Sequence, residues 1–188
     1  MDVDIDFADR SKLLKDLLHI PASIIKNNEI KKHNTGVYFQ DIPVDPITGC
    51  ASLTTAQAET YGYFKLDFLN LHIYDKIRNE QHLLELMNRP PLWEILNEPS
   101  IVDNLFHLNG NFDIVNKLQP RSLEQLAVVL AIKLPCKRYL IGKSWDEIYK
   151  EIWIPNNNGE MQFKKAHSIS YAMVIIVQMN LLVEEIEV

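Results

Sequence analysis

At 188 residues, with 47% apolar and 23% charged residues, the chain has the length of one domain or two small ones and is too apolar to be disordered. Its net charge of −6 argues against a free-standing, tight nucleic-acid binder, and Cys50 and Cys136 make neither a disulfide framework nor a metal spacing, which fits a reducing cytoplasm. The acidic N-terminus does not resemble a secretory signal, and the most apolar run, Ile169 to Val183, is interrupted by Gln178 and Asn180, so a buried helix and no membrane association are expected.

The first element is a strand. Asp2-Val3-Asp4-Ile5-Asp6-Phe7 alternates acid and apolar residues, which puts Asp2, Asp4 and Asp6 on one face and Val3, Ile5 and Phe7 on the other. Asp9 then offers an N-cap to a helix carrying Leu13, Leu14, Leu17 and Leu18 on one face and closing before Pro21. Lys31 to Asn34 is polar, Gly36 to Ile42 reads as a second strand, and Asp45-Pro46-Ile47-Thr48-Gly49 is a turn. A short helix over residues 55–60 leads to a third strand, Gly62 to Phe68, in which Lys65 and Asp67 share a face.

If the first and last of these strands pair, three carboxylates converge. Hard oxygen donors of this kind suit Mg²⁺, and a pair of such ions is the machinery of phosphoryl and nucleotidyl transfer. An acidic strand is also an ordinary way to protect a sheet edge, so the pairing decides between the two.

From Leu69 onward only helical patterns appear, at Leu69 to Arg78, Gln81 to Met87, Pro91 to Leu96 and Ile101 to Leu108. Ser122-Leu123-Glu124-Gln125 and Ser144-Trp145-Asp146-Glu147 carry the spacing of capping boxes. Asn156-Asn157-Asn158-Gly159 marks a turn, and a long last helix begins near Phe163. Between Lys117 and His167 there are nine Lys/Arg against five Asp/Glu, so the basic charge lies in the back half. The fold expected is α+β, with a small sheet-bearing part over residues 1–70 and an all-helical part over 71–188.

Several of these segments together resemble the C-family bacterial replicative DNA polymerases, typified by the polymerase III alpha subunit. Asp2-Val3-Asp4-Ile5-Asp6-Phe7 is similar to the palm motif bearing the first two catalytic aspartates. His33-Asn34-Thr35-Gly36-Val37 resembles the palm's His-x-x-Gly-Val stretch. Lys65-Leu66-Asp67-Phe68-Leu69-Asn70-Leu71 resembles the strand with the third aspartate. Leu118-Gln119-Pro120 with Leu123-Glu124 and Leu130-Ala131 resembles the approach to the fingers, and Phe163-Lys164-Lys165-Ala166-His167-Ser168 with Tyr171-Ala172 is similar to a fingers segment.

The resemblance implies a nucleotidyltransferase-type palm followed by helical fingers, in a compact version of the kind phages encode. It implies that Asp2, Asp4 and Asp67 are catalytic and hold two Mg²⁺ ions. His33, Lys65, Lys137, Arg138, Lys164, Lys165, His167 and Ser168 would contact nucleotide or DNA, and the partners would be a DNA primer–template and dNTPs. The sequence also departs from the family. Leu134-Pro135-Cys136 stands where the family has Arg-Pro-Gly, and the glycine- and serine-rich segment that holds phosphate upstream of the first aspartates is expected to be missing. The alternative is therefore a non-catalytic, replication-associated protein of the same fold that binds DNA, a host replisome subunit or a second chain completing the palm. A metal-dependent nuclease ranks last, for want of a recognisable general base.

Overall fold

The structure, a computed structural model, describes residues 3–26, 29–155 and 162–187. The fold is α+β: a four-stranded mixed sheet followed by helices. The chain divides into two compact units, Met1–Ile77 and Arg78–Val188.

In the first unit, strand β1 (Val3–Phe7) is followed by helix α1 (Arg10–Lys15), the strands β2 (Ile20–Lys26) and β3 (Glu29–Tyr38), helix α2 (Thr55–Thr60) and strand β4 (Leu66–Asn70). A 3-10 turn, His72–Lys76, closes the unit. The spatial order is β1-β4-β3-β2, with β1 parallel to β4 and the other neighbours antiparallel. The alternating strands do pair: Asp4 lies opposite Asp67 and Ile5 opposite Phe68. Leu14 of α1 packs with Val37 and Phe68, flanked by Ile5 and Leu66, so α1 covers the apolar face. On the other face Ala22, Tyr38, Ile42, Ala51 and Ala58 form a second cluster under α2.

Several local expectations change. Helix α1 does start after Asp9, whose side chain accepts the Ser11 N–H, but it ends at Lys15. Leu17 is exposed and Leu18 is 97% exposed, because the chain must turn to enter β2. The polar stretch from Lys31 to Asn34 belongs to β3, and the expected strand over Gly36 to Ile42 ends at Tyr38. Leu69 to Arg78 is not helical throughout: its first residues finish β4, and a 3-10 turn follows.

The second unit is helical: α3 (Glu80–Asn88), α4 (Pro99–Val102), α5 (Phe112–Leu118), α6 (Leu123–Ile132), α7 (Trp145–Glu151) and α8 (Lys165–Glu187), with 3-10 turns at Trp93–Asn97 and Pro135–Leu140. Leu126 to Ile132 of α6 are all buried and pack with Ala172, Ile175 and Met179 of α8. Ser144 forms a full capping box with Glu147. At α6 the Ser122 hydroxyl accepts the Gln125 N–H, but the Gln125 side chain reaches back to the Arg121 N–H instead. The expected turn at Asn156-Asn157-Asn158-Gly159 lies outside the described residues.

Helix α8 runs 23 residues, longer than its apolar core suggested, and by length and composition it could cross a membrane. Half of its apolar stretch is buried within the unit, and its polar residues bind neighbouring helices. Asn180 donates to the carbonyls of Leu86 and Arg89, and Glu184 accepts from Arg89 at 3.0 Å and lies 3.1 Å from His82 Nε2. These bonds mark a core helix, since lipid would leave such groups without partners.

Candidate active site

Four residues of the first unit form a compact polar cluster around Asp67. The carboxylate is buried, and both its oxygens are engaged: Oδ2 accepts from the Lys65 ammonium at 2.5 Å, and Oδ1 from the Thr35 hydroxyl at 2.7 Å. His33 Nδ1 stands 3.7 Å from Oδ1. Burial pushes the Asp67 carboxyl up, but the hydrogen bonds from Lys65 and Thr35, together with the Lys65 charge, outweigh it and hold the group below the usual carboxylate range. Asp67 is therefore ionised.

A bulge builds this arrangement. Pro21 pairs with Val37 and Ser23 with Lys32, so the four residues His33 to Gly36 on β3 stand against Ala22 alone on β2. Such insertions re-aim side chains. Here the His33 ring folds back so that Nδ1 accepts the N–H groups of Thr35 and Gly36, at 3.2 and 2.9 Å. That nitrogen carries no proton, and the turn it stabilises delivers the Thr35 hydroxyl to Asp67. Gly36 sits opposite Asp67 in register. A Cβ there would come 2.7 Å from Lys65 Cδ, 3.0 Å from Ala22 Cβ and 3.1 Å from His33 Nδ1. Glycine at this position leaves the room through which the Lys65 stem passes.

The structure thus brings His33, Lys65 and Asp67 together, and places Asp4 opposite Asp67 on the adjoining strand. The Asp4 side chain and all of Asp2 lie outside the described residues. Asp6, two positions further along β1, accepts from the Tyr74 hydroxyl at 3.4 Å; burial and the Asp6 charge raise the Tyr74 phenol to about 12. Among the described residues no three His, Cys, Asp or Glu side chains gather as a metal-binding group. Thr35 and Gly36 are the residues that sequence reasoning missed. Both lie inside the His-x-x-Gly-Val stretch, but nothing in a hydroxyl or a glycine announces a carboxylate partner 32 residues further along the chain; only the bulge supplies it.

The remaining candidates belong to the second unit. Lys164 and Lys165 are exposed at the start of α8, and His167 packs edge-on against Tyr171 at 6.1 Å. Ser168 is fully buried on the inner face of α8, where a nucleotide has no access. Lys137 is 3% exposed and its ammonium donates to the carbonyls of Glu151, the last residue of α7, and of Ile154 beyond it. Lys137 is committed to those carbonyls and the Ser168 hydroxyl is buried with no hydrogen-bond partner among the described residues, so the nucleotide contacts expected of them are not available in this conformation. Arg138 is exposed, its Nε bonded to the Lys133 carbonyl.

No protein-family model matches this sequence, and a search of curated proteins finds no match either.

Proposed function

We propose that the chain is a compact protein of the C-family replicative polymerase type, acting in the cytoplasm, whose first unit carries out Mg²⁺-dependent nucleotidyl transfer on a DNA primer–template with dNTPs. The observation that carries this reading is the parallel pairing of β1 with β4, which sets Asp4 and Asp67 at one register position. A carboxylate on each of two adjoining strands is the donor chemistry that Mg²⁺ selects, so Asp4 and Asp67, with Asp2 by sequence, would hold the ions. When bound, Mg²⁺ would acidify the attacking hydroxyl and offset the charge of the triphosphate. The protein's own groups do the rest. Thr35 and Lys65 keep Asp67 ionised and oriented, and the Lys65 ammonium supplies the positive charge that a phosphate seeks.

One observation favours the second reading, a replication-associated protein of the same fold that binds DNA, a host replisome subunit or a completing chain without catalysis. Both Asp67 oxygens are already paired, and the Lys65–Asp67 couple is neutral without a cation. Primer extension with Mg²⁺ or Mn²⁺, run beside Asp4→Asn and Asp67→Asn, separates the two. Extension that both variants lose supports nucleotidyl transfer. A folded protein that extends no primer has the second function.

A further inference from the structure

On the α1 side of the sheet, away from Asp67, lies an open cleft of about 470 Å³. It is bounded by α1, the approach to β2, strand β3 and the end of β4. Arg10, Lys15 and Lys32 line it with His19, Asn34 and Asn70, and no acidic residue does. Among the described residues neither Lys15 nor Lys32 has a carboxylate partner. That is a local excess of three positive charges in a chain of net charge −6.

The cleft is held in shape. Asn70 Oδ1 accepts the Arg10 N–H at 2.8 Å, and the Arg10 guanidinium donates to the Asn34 carbonyl oxygen. Asn34 belongs to the same four-residue bulge that presents Thr35 to Asp67. Beside the cations stands an aromatic surface: the His19 ring lies 6.4 Å from that of Phe39, which is 42% exposed and backed edge-on by Phe68 at 6.0 Å. Cations that follow a backbone next to an exposed ring are what a single nucleic-acid strand requires, phosphates on the former and a base against the latter. An acidic protein surface would use the cations but not the ring. The volume exceeds what one phosphate group fills and matches a site for a larger ligand.

We infer that this cleft binds single-stranded nucleic acid, with phosphates at Arg10, Lys15 and Lys32 and a base stacked on Phe39 and His19. The site stands apart from the carboxylate cluster and does not depend on metal or on catalysis.

The test is fluorescence anisotropy with a labelled oligothymidylate of about twelve nucleotides, in chelator, over roughly 50 to 200 mM salt. Lys15→Glu/Lys32→Glu should weaken binding about tenfold and flatten the salt dependence by about 1.4, the loss of two phosphate contacts at roughly 0.7 each. Phe39→Ala should weaken it about fivefold with the salt dependence unchanged, the signature of a lost stack. Lys15 and Lys32 are exposed, so the thermal transition of the double variant should be that of wild type; Phe39→Ala gives up the edge contact with Phe68 and is compared at a temperature well below its own transition. Unaltered binding and salt dependence in the double variant would overturn the inference. So would equal displacement by heparin combined with no effect of Phe39→Ala, since that pattern describes any polyanion.

Discussion

Among the described residues each unit buries one lysine, and the two do opposite things. Lys65, the residue before β4, is 7% exposed and pairs with a carboxylate two residues on; Lys137 is 3% exposed and donates to two backbone carbonyls, one ending α7 and one just beyond it. Burial and charge are the same at both. The partner differs, and with it the meaning. A carboxylate held by an ammonium can exchange that partner for another cation or share it with a phosphate. Backbone carbonyls offer no such exchange, and here they fix the ammonium between the last residue of α7 and the chain just beyond it. One lysine belongs to a candidate site, and the other is part of the second unit's frame.

The largest expected effect breaks the first of these pairs. Asp67→Asn leaves the Lys65 ammonium buried without its counter-charge, a loss of about 3 kcal/mol of stability in denaturant unfolding, together with all Mg²⁺-dependent extension. Lys65→Met in the same chain removes the stranded charge and should restore most of the stability and none of the activity. A double variant as unstable as Asp67→Asn alone would show that the pair does not govern stability.

Lys137→Met is the matching experiment in the second unit. It keeps the apolar stem and deletes the two hydrogen bonds of a buried ammonium, so about 2 kcal/mol should be lost. Binding of nucleotide or oligonucleotide should not change. A variant of wild-type stability with weakened nucleotide binding would return Lys137 to the site.

The contrast between the lysines also shows what could be read from residues alone. Strand β1 was legible because alternation of acid and apolar residues has one structural meaning over five positions. Strand β4 was legible only in part, since the expected strand Gly62 to Phe68 shares Leu66 to Phe68 with the observed Leu66–Asn70, and the pairing of the two was left as a condition for the structure to meet. Helix α7 was legible through Ser144, which caps it; α2 was placed over residues 55–60 without notice of its Thr54 cap. Strand β2 was not, because Ile20-Pro21-Ala22-Ser23-Ile24-Ile25-Lys26 contains a proline and does not alternate. The bulge at His33 to Gly36 was hidden for the same reason, and Thr35 with it. Lys137 was misread since a lysine is by default a surface residue, and the carbonyls that bury it come from residues 14 and 17 positions later.

Gly36→Ala sharpens the account of the bulge. The added methyl meets a flexible Lys65 stem, which can move, and the Ala22 Cβ of a paired strand, which cannot. Overpacking of this kind costs about 1–2 kcal/mol, and the displaced Lys65 should loosen its grip on Asp67. Its effect on activity should therefore exceed that of an equally destabilising change in the α2 cluster. Equal effects would mean that Gly36 serves packing only.

The smallest effect concerns a third lysine, Lys133 of the second unit. Its ammonium donates to the His107 carbonyl at 2.8 Å and lies 5.6 Å from the centre of the Phe163 ring. The His107 ring stacks on Tyr171 at 4.9 Å. Burial and the nearby Lys133 charge push the His107 imidazole down to about 4. In the unfolded chain the same group titrates near its ordinary 6.5, so between these values the unfolded state holds the extra proton. Stability must then rise with pH across that window. The His107 contribution is complete above about pH 6.5 and is lost as pH falls towards 4. His107→Asn isolates it, because asparagine tolerates the positive φ of 57° found there and has no proton to take up. Thermal unfolding of the two proteins should diverge in a pH-dependent way: any advantage of wild type at pH 7 should shrink steadily below about 6.5, while the carboxylates common to both proteins cancel in the difference. A difference that stays constant down to pH 4 would mean that His107 titrates alike in both states, and that the aromatic cluster around Lys133 tolerates a second positive charge.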